Sequence, residues 1–213
     1  MATSPDQAQK IKAFALNCTL RPSGEGRQSS TELMIRHVFD ELERHGVSTS
    51  SERAADHNIL PGVSSDEGDG DDWPALRQKV IDADIFILGT PIWLGQPSSI
   101  AKRVLERLDA FLGEADDHGR MPALGKVALV AVVGNEDGAH HSHAACFQAL
   151  NDVGFTVPAN AGIYWVGEAM GSVNYADLDE IPQKVRSTIG LAASNAVHLA
   201  HFLRGAPFPG VTS

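Results

Sequence analysis

Thiols, basic residues and long apolar runs are all scarce in this chain of 213 residues. Its two cysteines, Cys18 and Cys146, are too few for a disulfide framework in a domain this large and imply reduced thiols in a reducing compartment. Lys and Arg number 17 against 27 Asp and Glu, and the net charge of -10 repels nucleic acid and anionic lipid, which bind through basic surfaces. No stretch approaches the roughly 18 apolar residues of a membrane span, and Met1 to Gln9 is polar with no apolar core. The expectation is a cytoplasmic protein with no nucleic-acid partner and no membrane insertion. Missing motifs narrow the chemistry further. No G-x-G-x-x-G follows a strand, which disfavours a Rossmann dehydrogenase. No G-x-S-x-G elbow is present and Cys146 lies inside an apolar helical pattern, so hydrolase chemistry is disfavoured. After the first strand, Asn17-Cys18-Thr19 lacks the acidic pocket of a response regulator.

What is present is an alternation of short apolar runs with longer amphipathic ones, the pattern of a parallel sheet covered by helices on both faces. Strands are predicted at Ile11 to Leu16, at a weak polar edge segment Val47 to Arg53, at Asp84 to Thr90, at Lys126 to Gly134, and within Val157 to Val166. Helices are predicted from Ser30 to His45, with Met34, Val38 and Leu42 on one face and Gly46 as a stop, then over Trp73 to Ala83, Ser99 to Leu112, Ala139 to Val153 and Pro182 to Leu203. With 43% hydrophobic residues the chain can bury one full core. The expected organisation is a flexible N-terminus over 1–10, one α/β domain over 11–205 and a tail over 206–213. The acidic tract 66–72 misses the D-x-[DN]-x-[DN]-G register and the closing Glu of a calcium loop, so it is expected to be a solvated surface loop.

In an open parallel sheet, ligands bind outside the carboxyl ends of the strands, where strand order reverses. Three loops at that edge are unusual. After strand one, Thr19, Arg21, Ser29, Ser30 and Thr31 bring hydroxyls and a guanidinium to a helix N-terminus, which suits a phosphate, although Ser29-x-x-Glu32 is also a capping box. After strand three, Thr90-Pro91-Ile92-Trp93-Leu94-Gly95 forms a proline- and tryptophan-bearing loop suited to wall in a flat aromatic ligand, with Ser98 as the following helix N-cap. After strand four, Gly134-Asn135-Glu136-Asp137-Gly138 is a turn dense in hydrogen-bonding groups. His140, His141 and His143 follow it and are read as surface or subunit contacts, not as metal ligands.

These three loops resemble those of the flavodoxin-like NAD(P)H-dependent FMN reductases and quinone reductases. There a strand ends in T-P-x-[YW]-x-G-x-x-S before a helix containing Lys, here Lys102, and the phosphate loop reads G-S-x-R…S-x-T. In this chain Cys18-Thr19 replaces Gly-Ser, Arg21 matches the arginine, and Ser29, Ser30 and Thr31 match the closing hydroxyls. The resemblance implies a single three-layer αβα domain with a five-stranded parallel sheet of order 2-1-3-4-5. It implies FMN as cofactor, NADH or NADPH as hydride donor, and a quinone, flavin, nitro or azo acceptor served by a ping-pong mechanism. No catalytic side chain is expected, because flavin N5 carries the chemistry, and a homodimer or homotetramer is implied. Within that frame Thr19, Arg21 and Ser29 to Thr31 meet the phosphate, Thr90 to Gly95 the ring, with Trp93 stacking on it or walling it off, and Gly134 to Gly138 the pyrimidine end and ribityl side. The alternative is a flavodoxin-type electron carrier working with protein partners. The segment 164–175 is read as either pocket lining, subunit interface or plain surface loop.

Overall fold

In the computed structural model, whose described residues are 10–24 and 28–211, the apolar runs become the three central strands of one sheet. The strands are β1 (Lys12–Asn17), β2 (Ser48–Arg53), β3 (Ile85–Trp93), β4 (Gln96–Pro97), β5 (Val127–Gly134) and β6 (Gly162–Val166). Between and after them run α1 (Ser30–Arg44), α2 (Trp73–Asp82), α3 (Ser99–Leu108), α4 (Ala139–Asp152) and α5 (Gln183–Gly205). The long strands are parallel in the order β2-β1-β3-β5-β6, with β4 folded back antiparallel on β3. This is the expected flavodoxin-like order 2-1-3-4-5 once the short β4 is set aside.

Side chains alternate across the sheet with period two, and both faces are apolar because both are covered. Phe14, Leu16, Phe86, Leu88, Ala128, Val130 and Val132 meet α2, α3 and α4 on one face. Ala13, Ala15, Ile85, Ile87, Val127, Leu129 and Ala131 meet α1 and α5 on the other. The polar β2, Ser-Thr-Ser-Ser-Glu-Arg, sits at the edge as expected, paired along one side only. The expected N-terminal segment 1–10 lies, except for Lys10, outside the described residues, and the tail is described to Val211.

Three expectations are revised by tertiary contacts. β3 does not stop at Thr90: β5 runs alongside it, pairing Ile85 with Val127 through Pro91 with Val133, and the strand continues to Trp93. The third helix ends at Leu108 and tightens into a 3-10 turn over Asp109–Gly113. The acidic tract is not wholly solvated. Asp71 and Arg107 both have side chains that are 0% exposed, and they pair at 2.7 Å. Arg107 also donates to the carbonyls of Leu60 at 2.8 Å and Ser64 at 3.1 Å and lies over the Trp73 ring, so the long segment between β2 and α2 is wound around one buried guanidinium.

Burial by itself would raise the Asp71 carboxyl. The Arg107 guanidinium and the N–H groups of Glu67, Trp73 and Leu60 overcome this and hold it down at about 2. A carboxyl depressed on folding contributes stability above its unfolded value, near 3.9, and loses it as pH falls through the folded value. Thermal melts should therefore show the stability carried by Asp71 intact at pH 5 and fading between about pH 4 and pH 2. In an Asp71→Asn protein the corresponding part of that acid limb should be absent.

Candidate functional site

Strand order reverses between β1 and β3, because β1 leads through α1 to β2 on one side while β3 is flanked by β5 on the other. Loops leaving their carboxyl ends diverge, and a cavity of about 850 Å3 opens there, within the usual size range for small-molecule sites.

Its first end is built by the stretch after β1 and the start of α1. Thr19, Leu20, Arg21, Gln28, Ser29, Ser30 and Thr31 all line it. Among the described residues no carboxylate pairs with Arg21, which leaves its charge available in an otherwise acidic protein. The first-turn N–H groups of α1 add the positive end of the helix. Ser29 caps α1 by accepting from Glu32 N–H at 3.2 Å, but only half of the expected capping box forms. The Glu32 carboxylate goes to Arg53 and Arg36 instead.

Arg53 was not singled out in the sequence, yet it lines the same cavity. The register that sets it beside Asn17 across the sheet edge lets its Nη1 donate to the carbonyls of Pro22 at 3.0 Å and Arg21 at 3.4 Å. Asp56 completes the staple by accepting from the Ser23 N–H at 2.6 Å and from its hydroxyl at 2.5 Å. Only the edge pairing of β2 with β1 brings these residues to the loop. Arg27, the alternative cation in this loop, lies outside the described residues.

The second wall is the end of β3. Pro91, Ile92 and Trp93 face the cavity, and Trp93 is 55% exposed. Leu94 and Gly95 form a two-residue hairpin turn with φ of 52° and 74°, the left-handed pair that matches strand twist. The expected wide loop is thus a tight β3–β4 hairpin. A Cβ on Gly138 would come within 2.6 Å of the Gly95 Cα, so the hairpin and the loop after β5 touch backbone to backbone. Thr90 is fully buried, accepting from Ser98 N–H at 3.0 Å, and Ser98 in turn caps α3 and donates to the Cys18 carbonyl at 2.7 Å. Thr90, Leu94, Gly95, Asp137 and Gly138 accordingly lie off the cavity wall, where the first, third and last of them shape the loops that form it.

Gly134, Asn135 and Glu136 form the third wall. A fourth comes from the end of β6 and the segment after it, where Trp165, Met170, Gly171 and Asn174 to Asp177 also face the cavity. Asn135 clamps the two together: its carbonyl accepts from Met170 N–H at 2.7 Å and its side-chain amide donates to the Gly171 carbonyl at 2.7 Å. Tyr175 bonds His37 Nδ1 at 2.8 Å and Ser30 Oγ accepts from Ala176 N–H, fixing this segment to α1. Of the readings open for 164–175, pocket lining holds for Trp165, Met170, Gly171, Asn174 and Tyr175.

Neither thiol is poised for chemistry. Burial, and then the neighbouring Cys146, pushes the Cys18 thiol well above its ordinary value, and burial pushes Cys146 up to about 12. The helix-start histidines are more structural than expected. His143 is buried, stacked on Phe147, beside a Gly162 that has no room for a Cβ, while His140 meets Tyr164 edge-on and His141 bonds Gln96 at 3.0 Å.

Fold and crevice together define a doubly wound α/β domain with a phosphate-suited cavity at its switch point. Residues 11–171 match the model of the NADPH-dependent FMN reductase family, and the chain belongs to that family. It is 33% identical over 208 residues to the 8-demethyl-8-aminoriboflavin-5'-phosphate synthase of Streptomyces davaonensis, covering 93% of this chain and 80% of that protein. It is 36% identical over 180 residues to a Mycobacterium bovis protein named as the divalent metal cation transporter MntH, which covers 83% of this chain. The chain spans 26% of the length of that protein. Among solved structures it is similar to RosB with bound 8-demethyl-8-formylriboflavin-5'-phosphate, at a TM-score of 0.83, 33% identity, and 93% and 82% coverage of the two chains. An NADH:FMN oxidoreductase, EmoB, superposes at a TM-score of 0.64 with 16% identity, covering 93% of this chain and 92% of that one, a likeness of fold.

Family membership makes FMN and a nicotinamide nucleotide the cofactors of this flavoprotein oxidoreductase. The residues present fit the first of these. Among the described residues Arg21 has no carboxylate partner and, with the α1 N-terminus, offers a monophosphate its donors, while the Oε1 atom of Glu136 is enclosed without a hydrogen-bond partner there.

Proposed function

We propose that this protein is an FMN-dependent oxidoreductase that passes hydride from NADH or NADPH to a small-molecule acceptor such as a quinone, a free flavin, or a nitro or azo compound. The observation that carries the reading is the cavity itself, with Arg21 and the start of α1 at one end and aromatic walls, where Trp93 is more than half exposed and Trp165 and Tyr175 also face the cavity. FMN bound there supplies the hydride-accepting N5 atom. The chain's own residues then bind and orient. Thr19, Arg21, Ser29, Ser30 and Thr31 hold the phosphate, with Arg53 holding their loop in shape. Pro91, Ile92 and Trp93 meet the ring, and Gly134, Asn135 and Glu136 its pyrimidine edge, while Trp165 and Tyr175 keep water from the far side.

The reading includes ping-pong kinetics, in which two substrates take turns at one place on the ring; residues 134–138 hold no aromatic, and Trp165 and Tyr175 stand on the fourth wall. A homodimer or homotetramer belongs to the same reading. Among the described residues, no helix is long and apolar enough to cross a membrane.

The test is anaerobic spectroscopy of the FMN-loaded protein. NADH or NADPH alone should bleach the visible flavin absorbance and a quinone should restore it. Reduction only by a separate reductase protein would make the chain an electron carrier instead. A second reading, in which a flavin phosphate is the substrate and leaves chemically altered, is favoured by the likeness to RosB over 93% of this chain. Mass spectrometry of the flavin recovered after turnover separates the two, because the reductase returns FMN unchanged.

A further inference from the structure

Between the edge strand β6 and helix α5 the chain forms a strap over residues 167–181 that borders the cavity along its way. It leaves the sheet beside β5, where the Gly167 N–H donates to the Gly134 carbonyl at 3.1 Å. It reaches the start of α1, where the Ala176 N–H donates to Ser30 Oγ at 3.2 Å. Between these points Met170, Gly171 and Asn174 to Asp177 line the cavity. The match to the reductase family ends at Gly171, so the far half of the strap lies outside it.

Little apolar burial holds the strap down. Met170 is 87% exposed and Val173 is 52% exposed, while Leu178 and Ile181 are only partly packed against the core. Met170 also has a φ of 61°, a left-handed conformation uncommon for a residue with a side chain, kept by its N–H bond to the Asn135 carbonyl. The exception is Tyr175. It is fully buried, its ring meets Trp165 and His37, and its hydroxyl is hydrogen-bonded to His37 Nδ1 on α1 at 2.8 Å. A segment held by a few polar bonds and one aromatic opens at lower free energy than the sheet and helices beneath it.

The far anchor is seated on the site that it borders, because Ser30 belongs to the phosphate end of the cavity. Next to that anchor Asp177 brings a carboxylate into the lining, where it accepts from the Asn174 N–H at 3.0 Å and from Asn174 Nδ2 at 2.7 Å. A like charge near a phosphate makes the strap a barrier and not a source of affinity. Resting on the FMN-dependent reading above, we propose that residues 167–181 are a gate, latched by the Tyr175–His37 bond, that opens to admit FMN and closes to retain it. The bonds of the latch run between protein groups, so their strength does not depend on the ligand. A gate that closes equally over the free and the loaded site slows entry and exit by one factor and leaves affinity unchanged. FMN held in this way is a retained cofactor and not a substrate exchanged in each cycle.

The experiment compares wild type, Tyr175→Phe, His37→Leu, the double variant and Tyr164→Phe, the last removing the hydroxyl of the chain's other tyrosine, which is off the cavity wall. Stopped-flow flavin fluorescence gives the entry rate constant, and capture of released FMN by excess apoflavodoxin gives the exit rate constant. Tyr175→Phe and His37→Leu should each raise both constants together, by about three- to tenfold, with Kd within about twofold of wild type. Because both break one bond, the double variant should be no faster than either single variant. Tyr164→Phe should leave both constants within about twofold of wild type. Unchanged rates in Tyr175→Phe and His37→Leu, faster exit with unchanged entry, or an equal acceleration in Tyr164→Phe overturns the gate while FMN dependence stands. Failure of wild type itself to take up FMN overturns both.

Discussion

Arg21→Ala should raise the dissociation constant for FMN by about one to two decades while leaving the fold unchanged. Charge-assisted hydrogen bonds are worth roughly 1.5 to 3 kcal/mol, and each 1.4 kcal/mol is a factor of about ten in affinity. The fold should survive because Arg21 is exposed and its side chain makes no bond to any described residue. Its backbone carbonyl, which Arg53 holds, is retained in the variant. Arg21→Lys should recover part of the loss, since a point charge replaces the bidentate fork. Fluorescence titration with FMN, read beside a thermal melt, checks this directly. Unchanged affinity would place the phosphate on Arg53 or Arg27.

The largest effect on stability is expected at the far side of the sheet. Asp71→Ala removes the carboxylate bonded to the fully enclosed Arg107 guanidinium and leaves it only the exposed Glu67 as a nearby anion. Removing one partner of a buried pair typically costs about 3 to 5 kcal/mol. For a domain of this size that is a fall of roughly 6 to 20 °C in Tm. The cost reflects desolvation of an orphaned charge more than loss of attraction. Replacing both residues, as Asp71→Leu with Arg107→Met, should therefore be less damaging than Asp71→Ala alone. A Tm within a degree or two of wild type in Asp71→Ala would mean that the carbonyls of Leu60 and Ser64 suffice for Arg107.

The periodic elements were legible because their physics is local. Phe86 and Leu88 alternate with Ile85 and Ile87 in an apolar run that only a strand covered on both faces can bury. Met34, Val38 and Leu42 recur at helical spacing and all sit in the core, with α1 ending at Arg44 just before Gly46. Where local preference was silent or divided, the reading went astray. Nothing around Thr90 announces that the strand will continue, and the continuation comes from the length of β5 beside it. Asp71 sits among acidic residues that are mostly solvated, and only its distance from Arg107 in the folded chain distinguishes it.

The candidate site divides in the same way. Thr19, Arg21 and Ser29 to Thr31 were recognisable because a helix start, hydroxyls and a lone arginine fall within one short stretch, and they do line one end of the cavity. Arg53, Asp56 and the wall from Trp165 to Asp177 were not, since their role rests on edge pairing and on bonds such as His37 to Tyr175, which span 138 residues of sequence. By itself the sequence determined the layers and the chemistry available at the carboxyl edge, because hydrophobic period and turn composition act over a few residues, while the strand order followed only from the family resemblance. The tertiary structure alone decided which loop residues face the cavity, which carboxylate is buried against an arginine, and which is left without a donor, because those outcomes depend on distances between segments that no local pattern encodes.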